Sequence, residues 1–170
     1  MRRIIIFGNS GSGKSTLAKQ LVSDEGLAHL DLDEIAWLPS TPPERDSVDS
    51  SRRKIEEFTA SNDNWVIEGC YSDLLELIAP MANEAIFLNL SIEQCVENAK
   101  NRPWEPHKYK SKEEQDNNLN MLINWIKQYY ERKDTFSLTA HKKLFTDFVG
   151  RKTMLTRNEN HIQINEKTKT

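Results

Sequence analysis

One run of eight residues holds the most specific chemistry in this sequence. Gly8-Asn9-Ser10-Gly11-Ser12-Gly13-Lys14-Ser15 fits the pattern G-x-x-x-x-G-K-[ST], a loop that grips a polyphosphate. Its glycines permit positive φ and let the backbone approach a ligand closely. Successive N–H groups then turn inward on an anion at the positive end of the following helix. In that arrangement Lys14 reaches the β- and γ-phosphates, Ser15 binds Mg²⁺, and Thr16, next along, touches the α-phosphate.

A second group of candidates is acidic. Asp31, Asp33 and Glu34 follow one apolar run, and Glu68 follows another. Such an acid can orient Mg²⁺ or accept the proton of a substrate hydroxyl. Asp33 precedes the apolar Ile35-Ala36-Trp37, and Glu68 directly follows Trp65-Val66-Ile67, so both differ from ordinary solvated acids; Asp31 is the weaker candidate. Ser15, Glu68 and Asp33 form the expected Mg²⁺ set. The run Ile86 to Leu90 ends without an acid, and Glu68 is the substitute for a Walker B aspartate.

A third group is basic. Arg102 to Lys110 is a proline-containing loop with Arg102, His107, Lys108 and Lys110. Cations brought over a transferring phosphoryl group stabilise its spreading charge, and a loop can deliver them. Arg102 and Arg132 are the leading candidates, with Lys108 at the acceptor. His107 lacks a second metal ligand at a suitable spacing. Arg52 and Arg53 are candidates for a substrate anion, against the ordinary reading of a solvated helix face. Trp37 and Trp104 fall in loops and are candidates to line a pocket; Trp65 and Trp125 read as core.

These groups need a frame. Arg2 to Phe7 is a strand buried on both faces, followed by a helix marked by Leu17, Ala18, Leu21 and Val22 and stopped at Gly26. Leu27 to Leu32, Trp65 to Ile67, Ala85 to Leu90 and Lys152 to Thr156 read as further strands. Helices are predicted over Ser50 to Ser61, Asp73 to Ala79, Ser91 to about Asn101, and Leu138 to Phe148, with a long amphipathic helix from Lys112 to Lys133. Alternating strands and helices indicate a parallel sheet covered on both faces, with its ligand beyond the carboxyl ends of the strands. The boundaries expected are one domain over 1–157 and a polar, frayed tail over 158–170.

Composition narrows the field. The 170 residues are 37% hydrophobic and 29% charged, which is neither a disordered tail nor a membrane protein. The 23 basic and 26 acidic side chains give a net charge of −3, which argues against a nucleic-acid scaffold. The apolar stretch after Met1-Arg2-Arg3 is too short for a signal peptide. Two cysteines, Cys70 and Cys95, make no disulfide framework and read as packing groups in a reducing cytoplasm.

The phosphate loop, Leu32-Asp33 with Trp37 four residues on, Trp65-Val66-Ile67-Glu68-Gly69, and Arg102 opening a basic loop together resemble the small P-loop kinases, which include adenylate, shikimate and gluconate kinases. The pattern is most similar to the bacterial adenylate-kinase-related, topology-modulation-protein-like branch. The resemblance covers roughly Arg2 to Thr156. It implies a three-layer α/β/α P-loop NTPase fold with five parallel strands in the order 2-3-1-4-5, a substrate arm at about 34–62 after strand two and a lid at about 102–112 after strand four. It also implies ATP and Mg²⁺ as cofactors and a small-molecule acceptor as partner. By similarity, Asp33 matches the acid at acceptor and metal, Glu68 the acid of the adenylate kinase D-G motif, and Arg102 the first lid arginine, with Arg132 as second. The chain departs from adenylate kinases where Cys70-Tyr71 stands in place of Phe-Pro-Arg. It departs from shikimate kinases in lacking a triple glycine after the third strand.

The expectation is an ATP- and Mg²⁺-dependent phosphotransferase acting on a small hydroxyl- or phosphate-bearing molecule. The alternatives are a nucleotide-dependent regulatory NTPase with a macromolecular partner, and a binding protein without turnover.

Overall fold

The computed structural model describes residues 1–159. Five strands, β1 (Arg3–Gly8), β2 (Ala28–Asp31), β3 (Trp65–Gly69), β4 (Glu84–Leu88) and β5 (Arg151–Leu155), form one parallel sheet in the order β2-β3-β1-β4-β5. The helices between them are α1 (Lys14–Glu25), α2 (Val48–Ser61), α3 (Ser72–Ile78), α4 (Ile92–Asn101), α5 (Lys112–Asn117), α6 (Leu119–Lys127) and α7 (Leu138–Asp147).

The central strand explains the three layers. Ile4, Ile5, Ile6 and Phe7 are all fully buried, so β1 must be covered on both faces. Ile4 and Ile6, with Val66 and Ile86, pack with Leu17 and Leu21 of α1, Cys95 of α4 and Ile126 of α6. Ile5 and Phe7, with Ile67 and Phe87, pack with Ile55 of α2, Leu74 and Leu75 of α3, and Leu144 of α7. Serines cap four of the helices: the side chains of Ser47, Ser91, Ser111 and Ser137 accept from the amides of Ser50, Gln94, Glu114 and Ala140. The cap at Ser47 starts α2 two residues before the predicted Ser50.

The long helix predicted over 112–133 is two helices and a turn. At Asn118 the amide N–H is shared between the carbonyls of Glu114 and Gln115, and its side-chain amide leaves the helix to donate to Tyr109 Oη at 2.8 Å. Beyond Lys127 the chain is drawn inward. Tyr129 is 1% exposed, its hydroxyl bonds His141 Nδ1 at 2.6 Å, and its carbonyl accepts from Leu138 N. Burying that tyrosine ends the amphipathic run.

His141 itself is fully buried. Its Nε2 donates to the carbonyl of Cys70 at 2.8 Å, so Nδ1 is the acceptor for Tyr129. Burial holds this imidazole down at about 4, well below its ordinary value, and it is neutral at pH 7. It buttresses the turn after β3, which carries part of the site.

The predicted tail begins differently from expectation. Asn158 donates to the carbonyl of Ser12 at 2.9 Å and accepts from Asn98 Nδ2 of α4 at 2.9 Å, which ties it to the glycine-rich loop. Residues 160–170 lie outside the described residues. Among the described residues no helix is long and apolar enough to cross a membrane.

Candidate active site

Parallel register brings the chemistry to one edge. Gly8 lies opposite Leu88, Phe7 opposite Gly69, and Asp31 opposite Glu68, so the segments that follow β1, β2 and β3 leave the sheet side by side. Beyond them is a cavity of about 610 Å³. It is lined on one side by the phosphate loop, on the other by Asp33, Glu68 and Cys70, and over the top by residues 102–109.

The loop between β1 and α1 passes through two glycines in the left-handed region. Gly11 and Gly13 have φ of 76° and 91°. A Cβ on Gly11 would lie 2.4 Å from the carbonyl oxygen of Cys95. Gly13 is the N-cap of α1 and has no side chain to satisfy the first-turn amides, nor is there an acid in that turn. Asparagines brace the loop. Asn9, 4% exposed, donates to the carbonyl of Ile126 at 3.1 Å, Asn98 donates to Gly11 O at 2.9 Å, and Asn158 donates to Ser12 O. Ser10, Gly11, Gly13, Lys14, Ser15 and Thr16 line the cavity, whereas Gly8, Asn9 and Ser12 shape the loop from behind. Lys14 folds back and donates from Nζ to Asn9 O at 2.8 Å.

Glu68 is the pivot of the acidic side. It is 1% exposed, and its Oε1 accepts from Ser15 Oγ at 2.7 Å and from His29 Nε2 at 3.3 Å. Asn89, where no acid stands, instead donates its backbone N–H to Leu155 O at the far edge of the sheet. Asp31 is 4% exposed and caps a three-residue turn, Leu32–Glu34, by accepting from the amide of Asp33 at 2.9 Å. Burial, with the charges of Glu68 and Asp33 added, pushes the Asp31 carboxyl up to about 7. Burial also raises Asp33, but Lys108 and the Tyr71 hydroxyl outweigh it and hold Asp33 below the usual carboxylate range.

The loop between α4 and α5 lies against these acids. Lys108 Nζ lies 2.8 Å from Asp33 Oδ2, 3.7 Å from Asp31 Oδ2 and 3.7 Å from Glu105 Oε1. Burial lowers this ammonium and the two aspartates raise it more, so it stays charged. Arg102 Nη1 pairs with Glu105 Oε2 at 3.1 Å, and His107 Nε2 stands 3.9 Å from Asp31 Oδ2. Gln115 of α5 anchors the loop by bonding Pro103 O and the amide of Glu105, and Trp104 Nε1 donates to Tyr109 O.

The fold therefore brings together Lys14, Ser15, Asp33, Glu68, Arg102 and Lys108, with Asp31 beneath the lid contact. It does not bring in Arg132, whose guanidinium lies 3.4 Å from the centre of the Trp125 ring and pairs with Asp134. Arg132 is held away from the cavity because Tyr129 draws the chain inward beyond α6. Arg52 and Arg53 are exposed on α2, Arg52 4.0 Å from Asp49, and neither lines the cavity. Trp104 lines it; Trp37 does not, and donates from Nε1 to Tyr71 Oη at 2.8 Å. Sequence reasoning passed over His29, Tyr71 and Glu105. His29 had a signal: two residues before Asp31 on β2, it shares that acid's face of the sheet. Cys70 lines the cavity, but burial pushes its thiol up to about 12, and it stays a thiol.

Ser15 and Glu68 offer hard oxygens, the donor type Mg²⁺ takes. Among the described residues no three acidic, histidine or cysteine side chains form a metal-holding group, so such an ion would draw most of its ligands from phosphates and water.

The family model described as "AAA domain" matches residues 4–119, more than half of the chain. No curated protein matches the sequence. Among solved structures, a shikimate kinase from Bacteroides thetaiotaomicron is 16% identical with a TM-score of 0.55, covering 99% of this chain and 94% of that one. A gluconokinase from Sinorhizobium meliloti is 18% identical with a TM-score of 0.56, covering 98% and 89%. A sugar kinase from a Janibacter species is 14% identical with a TM-score of 0.55, covering 98% and 91%. At such identities the likeness speaks for the fold. The sheet order and the loop after β1 agree with it, and the chain belongs to the AAA domain family with the fold of the small P-loop kinases of the adenylate and shikimate kinase type.

Proposed function

We propose that this protein is an ATP- and Mg²⁺-dependent phosphotransferase acting on a small hydroxyl-bearing molecule. The observation that carries the reading is the convergence of Lys14, the Ser15–Glu68 pair and Asp33 on one cavity under a cationic loop. The loop amides and Lys14 hold the β- and γ-phosphates once Lys14 leaves the Asn9 carbonyl. Ser15 and Glu68, with Asp33 on the same cavity, would hold Mg²⁺, which when bound neutralises phosphate charge. Asp33 orients the acceptor hydroxyl. As the acceptor oxygen bonds to the γ-phosphorus, the bond to the bridging oxygen breaks, ADP leaves, and the acceptor proton passes to Asp33. Arg102 and Lys108, released from Glu105, cover the transferring group.

Shikimate kinase and gluconokinase among the structural neighbours support a small polyol or hydroxy acid as acceptor class. The test is MgATP turnover against a panel of polyols, sugars and hydroxy acids. The expected result is ADP formation stimulated by one class, with phosphorylated product. Acceptor-independent ADP release across the whole panel would defeat the proposal.

A further inference from the structure

Asp33 is 38% exposed at its side chain and sits on a three-residue turn. A carboxylate in that setting rotates unless something holds it. Here the hydroxyl of Tyr71 donates a hydrogen bond to Oδ1, while Oδ2 faces Lys108. We propose that Tyr71 is a positioning residue: its hydroxyl, oriented by Trp37, fixes Oδ1 of Asp33 and reserves Oδ2 for the proton of the acceptor. The proposal rests on the role given to Asp33 above and adds to it one residue and one oxygen atom.

The direction of each bond follows from donor chemistry. An indole N–H only donates, so the Tyr71 oxygen accepts from Trp37 and its single proton is left for Asp33. A phenol carries its proton at neutral pH, so it is a donor here. The ring cannot swing away. Tyr71 is 2% exposed, packs edge-on to Phe136 with centroids 5.3 Å apart, and has the Arg45 guanidinium 4.9 Å from its centre. Arg45 is in turn paired with Asp73 at 3.1 Å. The cavity is lined by Asp33 and Lys108 but not by Tyr71, so a hydroxyl arriving from it meets the Lys108 side of the carboxylate, which is Oδ2. Trp37 lies within the substrate arm, and two hydrogen bonds therefore link that arm to the acid.

The test compares wild type, Tyr71→Phe, Asp33→Asn and the double variant in MgATP turnover with water as acceptor, together with a crystal structure of Tyr71→Phe. The phenylalanine keeps the ring and removes only the hydroxyl. We expect unchanged melting temperature, unchanged stabilisation by MgATP and unchanged KM for ATP. We expect kcat lower by about tenfold or more, the scale of misplacing a reacting group. In the Asp33→Asn background the same change should add no further loss. In the crystal structure the Asp33 carboxylate should leave its present rotamer. Trp37→Phe, at a partly exposed position, should lower kcat in the same direction by less. Wild-type kcat in Tyr71→Phe with Asp33 unmoved would overturn the proposal and leave the kinase reading intact. A full additional loss in the Asp33→Asn background would also overturn it. Wild-type turnover in Asp33→Asn would instead remove the role of Asp33, and this proposal with it. The crystallographic arm decides the positioning claim even where water is a poor acceptor.

Discussion

Two halves of one cavity meet where Ser15 touches Glu68. On one side, residues 8–16 lead into a twelve-residue helix, braced by Asn9 of the loop itself and by Asn98 and Asn158 from elsewhere in the chain. On the other, Asp31, Asp33, Glu105, Arg102 and Lys108 are long or acidic side chains paired with one another. The first half is preformed, because main-chain geometry fixes it. The second is closed upon itself, and a ligand must exchange those ion pairs for its own. Backbone-built sites keep their shape when empty, whereas sites built of opposed charges hold a provisional arrangement.

The largest effect should come from breaking the first half. Lys14→Ala should leave the fold intact, because among the described residues Nζ bonds only the loop carbonyl of Asn9. It should abolish the thermal stabilisation given by MgATP, which for wild type at a hundred times Kd amounts to about 2.7 kcal/mol. Undiminished stabilisation in that variant would show that the preformed half is not where nucleotide binds. Next in size is the second half. Asp33→Asn should retain nucleotide-induced stabilisation and lose roughly 10²-fold in turnover, the scale of acid–base help. Equal damage to binding and turnover would erase the distinction between the halves.

Acid tests the support of the second half. The neutral, buried His141 has a folded value of about 4 against an ordinary 6.5, so the unfolded chain binds its proton first. Stability from this group is complete above the ordinary value and is lost as pH falls through the window toward 4. Urea unfolding at pH 7.5 and 5.5 should differ by about 1 kcal/mol from this residue, and His141→Gln should remove that part of the slope. The smallest effect is expected at Glu105. Glu105→Gln weakens the hold on Arg102 and Lys108, and the apparent affinity for MgATP by titration should rise by roughly two- to fivefold, the worth of an exchanged partly exposed ion pair. Weaker binding would mean that Glu105 orders the lid for nucleotide instead of competing with it.

The same contrast explains what the sequence disclosed. Gly11 and Gly13 are legible because positive φ at both, and a close approach to the Cys95 carbonyl at Gly11, admit little else, and the flanking strand and helix supply the context. Sheet order followed from resemblance and strand count. Glu68 and Asp33 were legible because strand ends converge in a parallel sheet. Arg132, Arg52 and Arg53 were not, because where a long side chain ends depends on contacts such as the Trp125 ring that local spacing does not encode. The division of the 112–133 segment turned on a single asparagine reaching for Tyr109 and a single tyrosine reaching for His141. Tyr71 lay in plain view two residues after Gly69, but its partner Asp33 is thirty-eight positions away.

The indole of Trp37 has a practical consequence. It stands 39% exposed, with its ring edge bonded to Tyr71 and a guanidinium 5.9 Å from its centre. Fluorescence of such a ring responds to small changes in polarity and quenching by its neighbours. The chain thus carries its own optical reporter beside the acid that would greet an acceptor, and candidate compounds can be screened by emission alone, with a Trp37→Phe control, before any product is identified.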